Sequence, residues 1–545
     1  MKRIPYFLLT VLALMLPGRS TAEEPASAER LGTVSFSNSC SPSLQASMNR
    51  GVALLHDFWY EEARRQFEDV AKSDPGCAIA HWGIAMSVFH QIWNRPQPGT
   101  MTIGWNELEK AQTLNAKTER EREYIAALSQ FYIPGKQVFE DRVQTYSAAM
   151  AKLYGNYPGD IDAAAFYALS LLASKKTGDT SLDHERQALA ILDPLFAKYP
   201  NHPGLAHYII HACDNPEMAS QGLSAAQRYG SIAPGAAHSA HMPSHIFARL
   251  GMWQPDIEAN LASVAAAKKA FADHPSALFD QLHASDFLLY AYLQSGQDAN
   301  AKAVVETTAS LITRSQSMPG IASMDMSAML PDFEETFPAI YDLEMRDWTA
   351  AAALTPVPSA SPEIQLFTYW ARTVGDGHMR RANAARADLA KYQFLTGLVN
   401  KDKRGYVTES TGIQVERNEV TAWVAFAEGD PEKALERMRA AAGLQDKVGQ
   451  GEVDIPAREM LADMLLELHR PAEALTEYDQ ALKLSPNRFN GLFNAGRAAE
   501  AVGDKARAAK YYTALMRSTA NGTQSNRTEF AHVKEFLGSD QVAAR

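Results

Sequence analysis

The sequence of 545 residues is short of several features that would place it quickly. Beyond its N-terminus it has no apolar run long enough to cross a bilayer. No period-two apolar runs stand out either, so a sheet-based fold is not expected. Positive charge is in deficit, with 52 Lys and Arg against 63 Asp and Glu and a formal net charge of −11. Residues 1–22 carry Lys2, Arg3 and Arg19 and no acid, so without them the charge is −14. That balance argues against nucleic acid or anionic lipid as the main partner. There is no P-loop, no G-x-S-x-G and no C-x-x-C-H. HYIIH at residues 207–211 has the two histidines of the H-E-x-x-H metalloprotease signature but no Glu after the first. Gly375-Asp376-Gly377 lacks the acids of an EF-hand and reads as a turn linking helices.

The most informative feature present is histidine. Residues 201–253 hold six of the 15 histidines. His207 and His211 stand four apart, so on a helix they share one face. His241 and His245 repeat that pair 34 residues later, and Pro200 and Pro234 keep the same interval. Thirty-four is the period of a two-helix repeat. In the second helix of a first unit stand Ala63, Phe67, Val70 and Pro75, and the same intervals recur at Ala474, Tyr478, Ala481 and Pro486. These are positions where a small residue lets helices approach, an aromatic fills the gap and a proline ends the helix. Gly251, Gly296, Gly429 and Gly503 mark inter-helix turns, the last three followed five residues on by Ala301, Ala434 and Ala508.

On these residues the chain resembles the tetratricopeptide family. The expected fold is an all-α, right-handed superhelix of antiparallel helix pairs. The expected organisation is a cleaved secretory signal at 1–22, with Lys2, Arg3, an apolar run and small residues at Ser20-Thr21-Ala22. A tether at 23–39 follows, then N-terminal repeats at 40–95 and irregular hairpins at 96–200. Histidine-rich repeats occupy 201–315, irregular hairpins with a methionine-rich loop 316–414, C-terminal repeats 415–517 and a capping tail 518–545. NRGVALLHDFWYEEARRQFEDVAKSDPGCAIAHWGIAMS at 49–87, HYIIHACDNPE at 207–217 and HMPSHIFARLGMW at 241–253 are similar to a group of large exported bacterial tetratricopeptide proteins. That likeness implies fold and a periplasmic or secreted location and transfers no catalytic residue. In such a compartment Cys40 and Cys77, flanking the first repeat, are placed to pair, leaving Cys213, two residues after His211, as either a small buried thiol or a ligand.

In this repeat the first helices of successive units lie side by side and line a concave face, with positions 2, 5, 9, 12 and 13 pointing into it. Counting from Pro203, His207 and His211 take positions 5 and 9. Counting from Ala237, His238, His241, His245 and Arg249 take 2, 5, 9 and 13. A unit starting at Leu282 puts His283, Asp286 and Tyr290 at 2, 5 and 9. The expected metal ligands are His207, His211, His241 and His245, since two such pairs supply four neutral nitrogens suited to zinc, copper or iron. His238, Arg249, His283, Asp286 and Tyr290 are the expected ligand-binding residues. Three uses of the groove stay open: holding a peptide, small molecule or metal-bound ligand; metal-dependent hydrolysis or oxidation, with Asp286 or Tyr290 assisting a metal-bound water; and protein contact in an envelope scaffold. The same histidines could instead hydrogen-bond one another and fix the curvature. His56-Asp57-Phe58-Trp59 and His90-Gln91-Ile92-Trp93 share the spacing H-x-x-W, also 34 apart, and either extend the groove or close their hairpins. Met318, Met324, Met326 and Met329 either bind Cu(I) or pack a lid.

Overall fold

A computed structural model describes residues 30–543 apart from 93–95, 136, 177, 316–317, 319–328, 400–409, 521, 523–524 and 526. The secretory signal, Trp93, Pro319-Gly320, Met324 and Met326 lie outside the described residues. Helix follows helix from Gln45 to Ala543, and no strand occurs among the described residues. None of these helices is long and apolar enough to cross a membrane.

The hairpins follow from aromatic-against-glycine packing. In the helix Tyr60–Ser73, Ala63, Phe67 and Val70 are buried. A Cβ placed on Gly51 or Gly83 would come within 2.7 or 2.4 Å of the Phe67 ring, so only glycine lets the neighbouring helices close over it. Ala474, Tyr478 and Ala481 are buried in the same way at the other end. Gly251, Gly296, Gly429 and Gly503 adopt φ of 62°, 69°, 80° and 82° between the two helices of their pairs. Between residues 96 and 200 the pairs are equally regular but longer. Their first helices begin at Glu119 and Ile161, and the next at Pro203, each 42 residues after the last. A 34-residue template cannot register on that spacing.

First helices stack side by side, Pro203–Cys213 against Pro243–Arg249, the latter against Ala277–Gln294, and that in turn against Leu330–Glu344. The array also curls onto itself twice. The helix Gln45–His56 packs against Pro203–Cys213, where a Cβ on Gly204 would meet His56 Nδ1 at 2.3 Å. The helix Ala277–Gln294 touches Phe489–Ala501. Buried Arg488 ties this second closure together, with Nε 2.8 Å from Glu459, Nη2 2.8 Å from Glu344, and Nη1 bonded to the Tyr290 hydroxyl. A buried guanidinium is tolerable here because several of its donors meet acceptors and two carboxylates balance its charge.

Four expectations are corrected. Residues 30–39 are not a free tether: Leu31, Val34 and Phe36 are buried, and Phe36 stacks on Trp82 at 5.5 Å. The segment 237–249 is two helices, Ala237–His241 and Pro243–Arg249, because Pro243 has no N–H to continue the first. The next first helix starts at Ala277, not Leu282. Gly375-Asp376-Gly377 is the last turn of the helix Pro362–His378, where the glycines admit Trp348 and Trp423.

Cys40 and Cys77 form a disulfide with Cα atoms 4.8 Å apart, and Cys213 is a free buried thiol. The bridge closes a loop with a sequence separation of 37, worth about 3–4 kcal/mol of chain entropy. Reduction is therefore expected to lower the melting temperature of the wild type and not that of a Cys40→Ser/Cys77→Ser variant. An unchanged melting curve on reduction would contradict it.

Candidate functional site

The site is assembled where the first curl closes. Pro203 opens its helix at a position needing no N–H, and one turn later His207 enters the contact with the first hairpin. His56 is the last residue of its helix, so its carbonyl has no intrahelical donor. His207 Nδ1 supplies one at 2.6 Å. That bond puts the proton on Nδ1 and leaves Nε2 with only a lone pair. His211 Nε2 faces it at 3.0 Å and His238 Nε2 at 3.1 Å. The three candidate donor atoms lie within 4.8 Å of one another. Burial pushes the His207 imidazole down to about 3 and holds His211 and His238 well below the ordinary histidine value, so all three are neutral near pH 7.

A second group lies beside the first, with the His238 and His241 ring centres 6.4 Å apart. Asn260 donates through Nδ2 to Asp256, which turns its Oδ1 towards His241 Nδ1 at 2.7 Å. His241 Nε2 therefore also carries a lone pair, and it faces His245 Nε2 at 3.1 Å. His283 completes the group, its ring centre 4.4 Å from that of His241. Burial lowers His283 to about 4 and His241 well below its usual value. His245 differs. Burial alone would lower it, but Asp214 Oδ2 at 2.9 Å and Glu452 Oε1 at 3.3 Å on its Nδ1 raise it to about 10.

Each group rests on a phenylalanine. Phe58 lies 4.4 Å from the His207 ring centre and 5.6 Å from those of His211 and His238. Phe287 lies 4.8, 4.7 and 5.6 Å from His241, His245 and His283. Phe58 has a φ of 56° in the turn where later hairpins carry Gly251 or Gly296. Its capping bonds, Phe58 N to Leu55 O and Trp59 N to Leu54 O, match those of Gly296 and Gln297. A bulky residue in this left-handed conformation costs roughly 1–2 kcal/mol. Arg346, Arg380 and His469 take the same conformation in later hairpin turns, with φ of 57°, 58° and 59°.

The four expected metal ligands thus divide between two groups, and His238 and His283, expected as ligand contacts, complete them. Arg249 is placed behind the histidines, its Nε 3.0 Å from Asp214 and its Nη2 3.3 Å from Glu452. Asp286 lies near Glu452, and burial and that carboxylate raise it to about 7. Tyr290 is not brought to the histidines, for its hydroxyl donates to the Asp454 carbonyl at 2.8 Å within the Arg488 network. His90 stacks on Tyr60 at 4.3 Å instead of joining either group. A cleft of about 720 Å³ reaches His211 past Asp214, Arg249, Lys175, Lys447 and Arg458.

Sequence reasoning missed Phe58 as a floor, the His56 carbonyl, Asn260, Asp214 and Glu452. Asp214 is three residues beyond His211 and could have been found on the same helical face. Glu452 comes from a turn 207 residues from His245 and leaves no local signal. A further buried set, His56, Asp162 and His202, is joined by hydrogen bonds, and His202 Nδ1 has no partner among the described residues. Asp162 accepts from His56 Nε2 at 3.0 Å and His202 Nε2 at 3.2 Å, while Tyr208 bonds His56 Nδ1 at 3.0 Å. Burial would raise the Asp162 carboxyl, but these imidazole bonds hold it below the ordinary range. It pins three hairpins together.

Strain at Phe58 is testable by reversing the usual ranking of small residues. Phe58→Ala and Phe58→Gly both open a cavity and both destabilise, by a few kcal/mol. Because Gly relieves the left-handed backbone, the Gly variant is expected to be about 1 kcal/mol the more stable of the two in denaturant titrations. A more stable Ala variant would contradict the strain.

The family described as tetratricopeptide repeat matches residues 60–92 and 459–522. No curated protein matches the chain. Among solved structures, a human IFIT1 dimer with PPP-AAAA shares 10% identity over 81% of this chain and 90% of that one, with a TM-score of 0.36. Yeast Tom70 shares 12% over 92% and 96%, at 0.34. The APC/C hetero-tetramer Cut9-Hcn1 shares 13% over 91% and 90%, at 0.32. Scores this low carry nothing about ligand or activity. On its matched segments and its helix pairs, the chain carries tetratricopeptide repeats at both ends of an all-α helical-hairpin solenoid.

Proposed function

We propose that this chain is an exported tetratricopeptide binding protein that holds a transition-metal ion on His207, His211 and His238 and takes a small polar ligand at the ion's open position. Tetratricopeptide repeats are binding and scaffolding units, and that coarser role follows from the matched segments. The metal reading is carried by one observation, the convergence of three neutral imidazole nitrogens at the first histidine group. His207 Nε2 offers one in-plane lone pair, yet two imidazole Nε2 atoms face it at 3.0 and 3.1 Å. A cation satisfies all three, since tetrahedral ligands at about 2.0–2.1 Å lie about 3.3 Å apart.

The surroundings are those of a metal ligand set. The Nδ1 proton of His207 is anchored on a carbonyl, the arrangement that fixes tautomer and ring orientation around bound metals. The imidazoles are neutral without competition from protons, and nitrogen-only donors suit zinc, copper or iron. Three protein ligands leave a fourth position open. The cleft reaching His211 leads a ligand there, and its mixed lining, with Lys175, Arg249, Lys447 and Arg458 beside Asp179, Glu185, Asp214, Glu217 and Asp446, favours polar groups over apolar ones. Export is supported by the character of residues 1–22 and by a Cys40–Cys77 disulfide suited to an oxidising compartment.

Protein purified from its native compartment without chelating resin is expected to hold transition metal in stoichiometric amount by elemental analysis. A His211→Ala/His245→Ala variant is expected to lose it while keeping its circular dichroism spectrum. Metal absent from the wild type, or a double variant that unfolds, would overturn the reading in favour of structural histidines.

A further inference from the structure

The first histidine group is built from positions on two consecutive first helices, and the same construction recurs one repeat further on. His207 and His211 come from Pro203–Cys213 and His238 from Ala237–His241, the following first helix. His241 and His245 span the Met242 junction, and His283 comes from the following first helix, Ala277–Gln294. In both groups the leading histidine has its Nδ1 fixed by an oxygen, the His56 carbonyl in one and the Asn260 amide in the other. In both, the second histidine presents Nε2 to the first at 3.0 or 3.1 Å. In both, a phenylalanine ring lies within 6 Å of all three imidazole centres. Two independent reasons for keeping one hydrogen-bonded histidine triad would not be expected to copy the floor and the anchors as well.

We infer that His241, His245 and His283 form a second metal site beside the first, so that the chain binds two divalent transition-metal ions, one at each junction between consecutive first helices. The inference rests on the metal reading of the first triad and extends it. Among the described residues no hydrogen bond reaches either ring nitrogen of His283, whose ring is held in the group by contacts with Phe279, His241 and Phe287. The donor atoms of the three residues lie within 4.8 Å of one another.

The two sites differ in their surroundings. The first has a neutral carbonyl behind its leading histidine, whereas the second has the Asp214 and Glu452 carboxylates on His245 Nδ1. A carboxylate behind a ligating imidazole raises its basicity and offsets part of the ion's charge. The second ion is therefore expected to be held more tightly than the first. His283 and His245 keep an edge exposed, which gives an ion a way in.

The test is the zinc stoichiometry of the full chain, stripped with chelator, reloaded with Zn(II), desalted and analysed for metal and protein. Two equivalents are expected for the wild type. His283→Gln and His238→Gln are each expected to retain one, and the pair together none, with unchanged helical content. Removal of zinc from the wild type by a graded chelator series is expected in two steps, which gives the same answer without any variant. One equivalent in the wild type, released in one step and lost in His238→Gln but not in His283→Gln, would overturn the second site and leave the first standing. No zinc in the wild type would overturn both.

Discussion

The hydrogen bond from His207 Nδ1 to the His56 carbonyl, at 2.6 Å, is the contact on which the rest of the site depends. It satisfies a helix-end carbonyl that has no partner of its own. It also holds the first hairpin against the helix Pro203–Cys213, an approach that Gly204 permits by having no Cβ. The same bond decides which nitrogen of His207 keeps its lone pair, and so turns a packing contact into a chemical one. Fold closure and the placing of the His207 Nε2 lone pair are set by a single proton.

Burial then does what hydrogen bonding alone does not. A histidine in water near pH 7 is partly protonated, and a protonated imidazole cannot ligate a metal. Taking His207, His238 and His241 out of water penalises the charged form, and their mutual proximity adds to that penalty. The exception, His245, has its charged form favoured by Asp214 and Glu452, and an ion there takes the place of the Nε2 proton while the Nδ1 proton stays on the carboxylates that Arg249 also bonds. Those contacts reach across the molecule, because Glu452 and the Gln450 carbonyl bonded by Arg249 belong to the C-terminal repeats. The second curl, anchored at Arg488, therefore brings the carboxylate end of the protein onto the histidine face.

Much of the fold was legible in the sequence. Ala63, Phe67 and Val70 and their counterparts near Tyr478 identify the helix pair because aromatic-to-small packing is local and periodic. The turns at Gly251, Gly296, Gly429 and Gly503 were legible because glycine takes φ of 62–82° without strain, whereas those at Phe58, Arg346, Arg380 and His469 use the same conformation without one. The regular hairpins between Glu119 and Lys198 were not, because their 42-residue spacing breaks the template. At the site, the 34-residue interval placed His207, His211, His241 and His245 on one face. It did not show that they divide into two groups, because the dividing members, His238 and His283, sit on neighbouring helices whose register depends on Pro243 and on where the helix Ala277–Gln294 begins. Phe58 was hidden for another reason: it occupies a turn position where pattern expects glycine. Glu452 was hidden by distance along the chain.

Diffraction recorded at a metal absorption edge tests the central claim most directly, because it locates the ion relative to the ring nitrogens. The account predicts an anomalous peak about 2.0–2.1 Å from the Nε2 atoms of His207, His211 and His238, with His207 Nδ1 still bonded to the His56 carbonyl. A metal-replete crystal with no peak between these three nitrogens, or with the ion held through Nδ1 of His207 and its carbonyl bond broken, would contradict it.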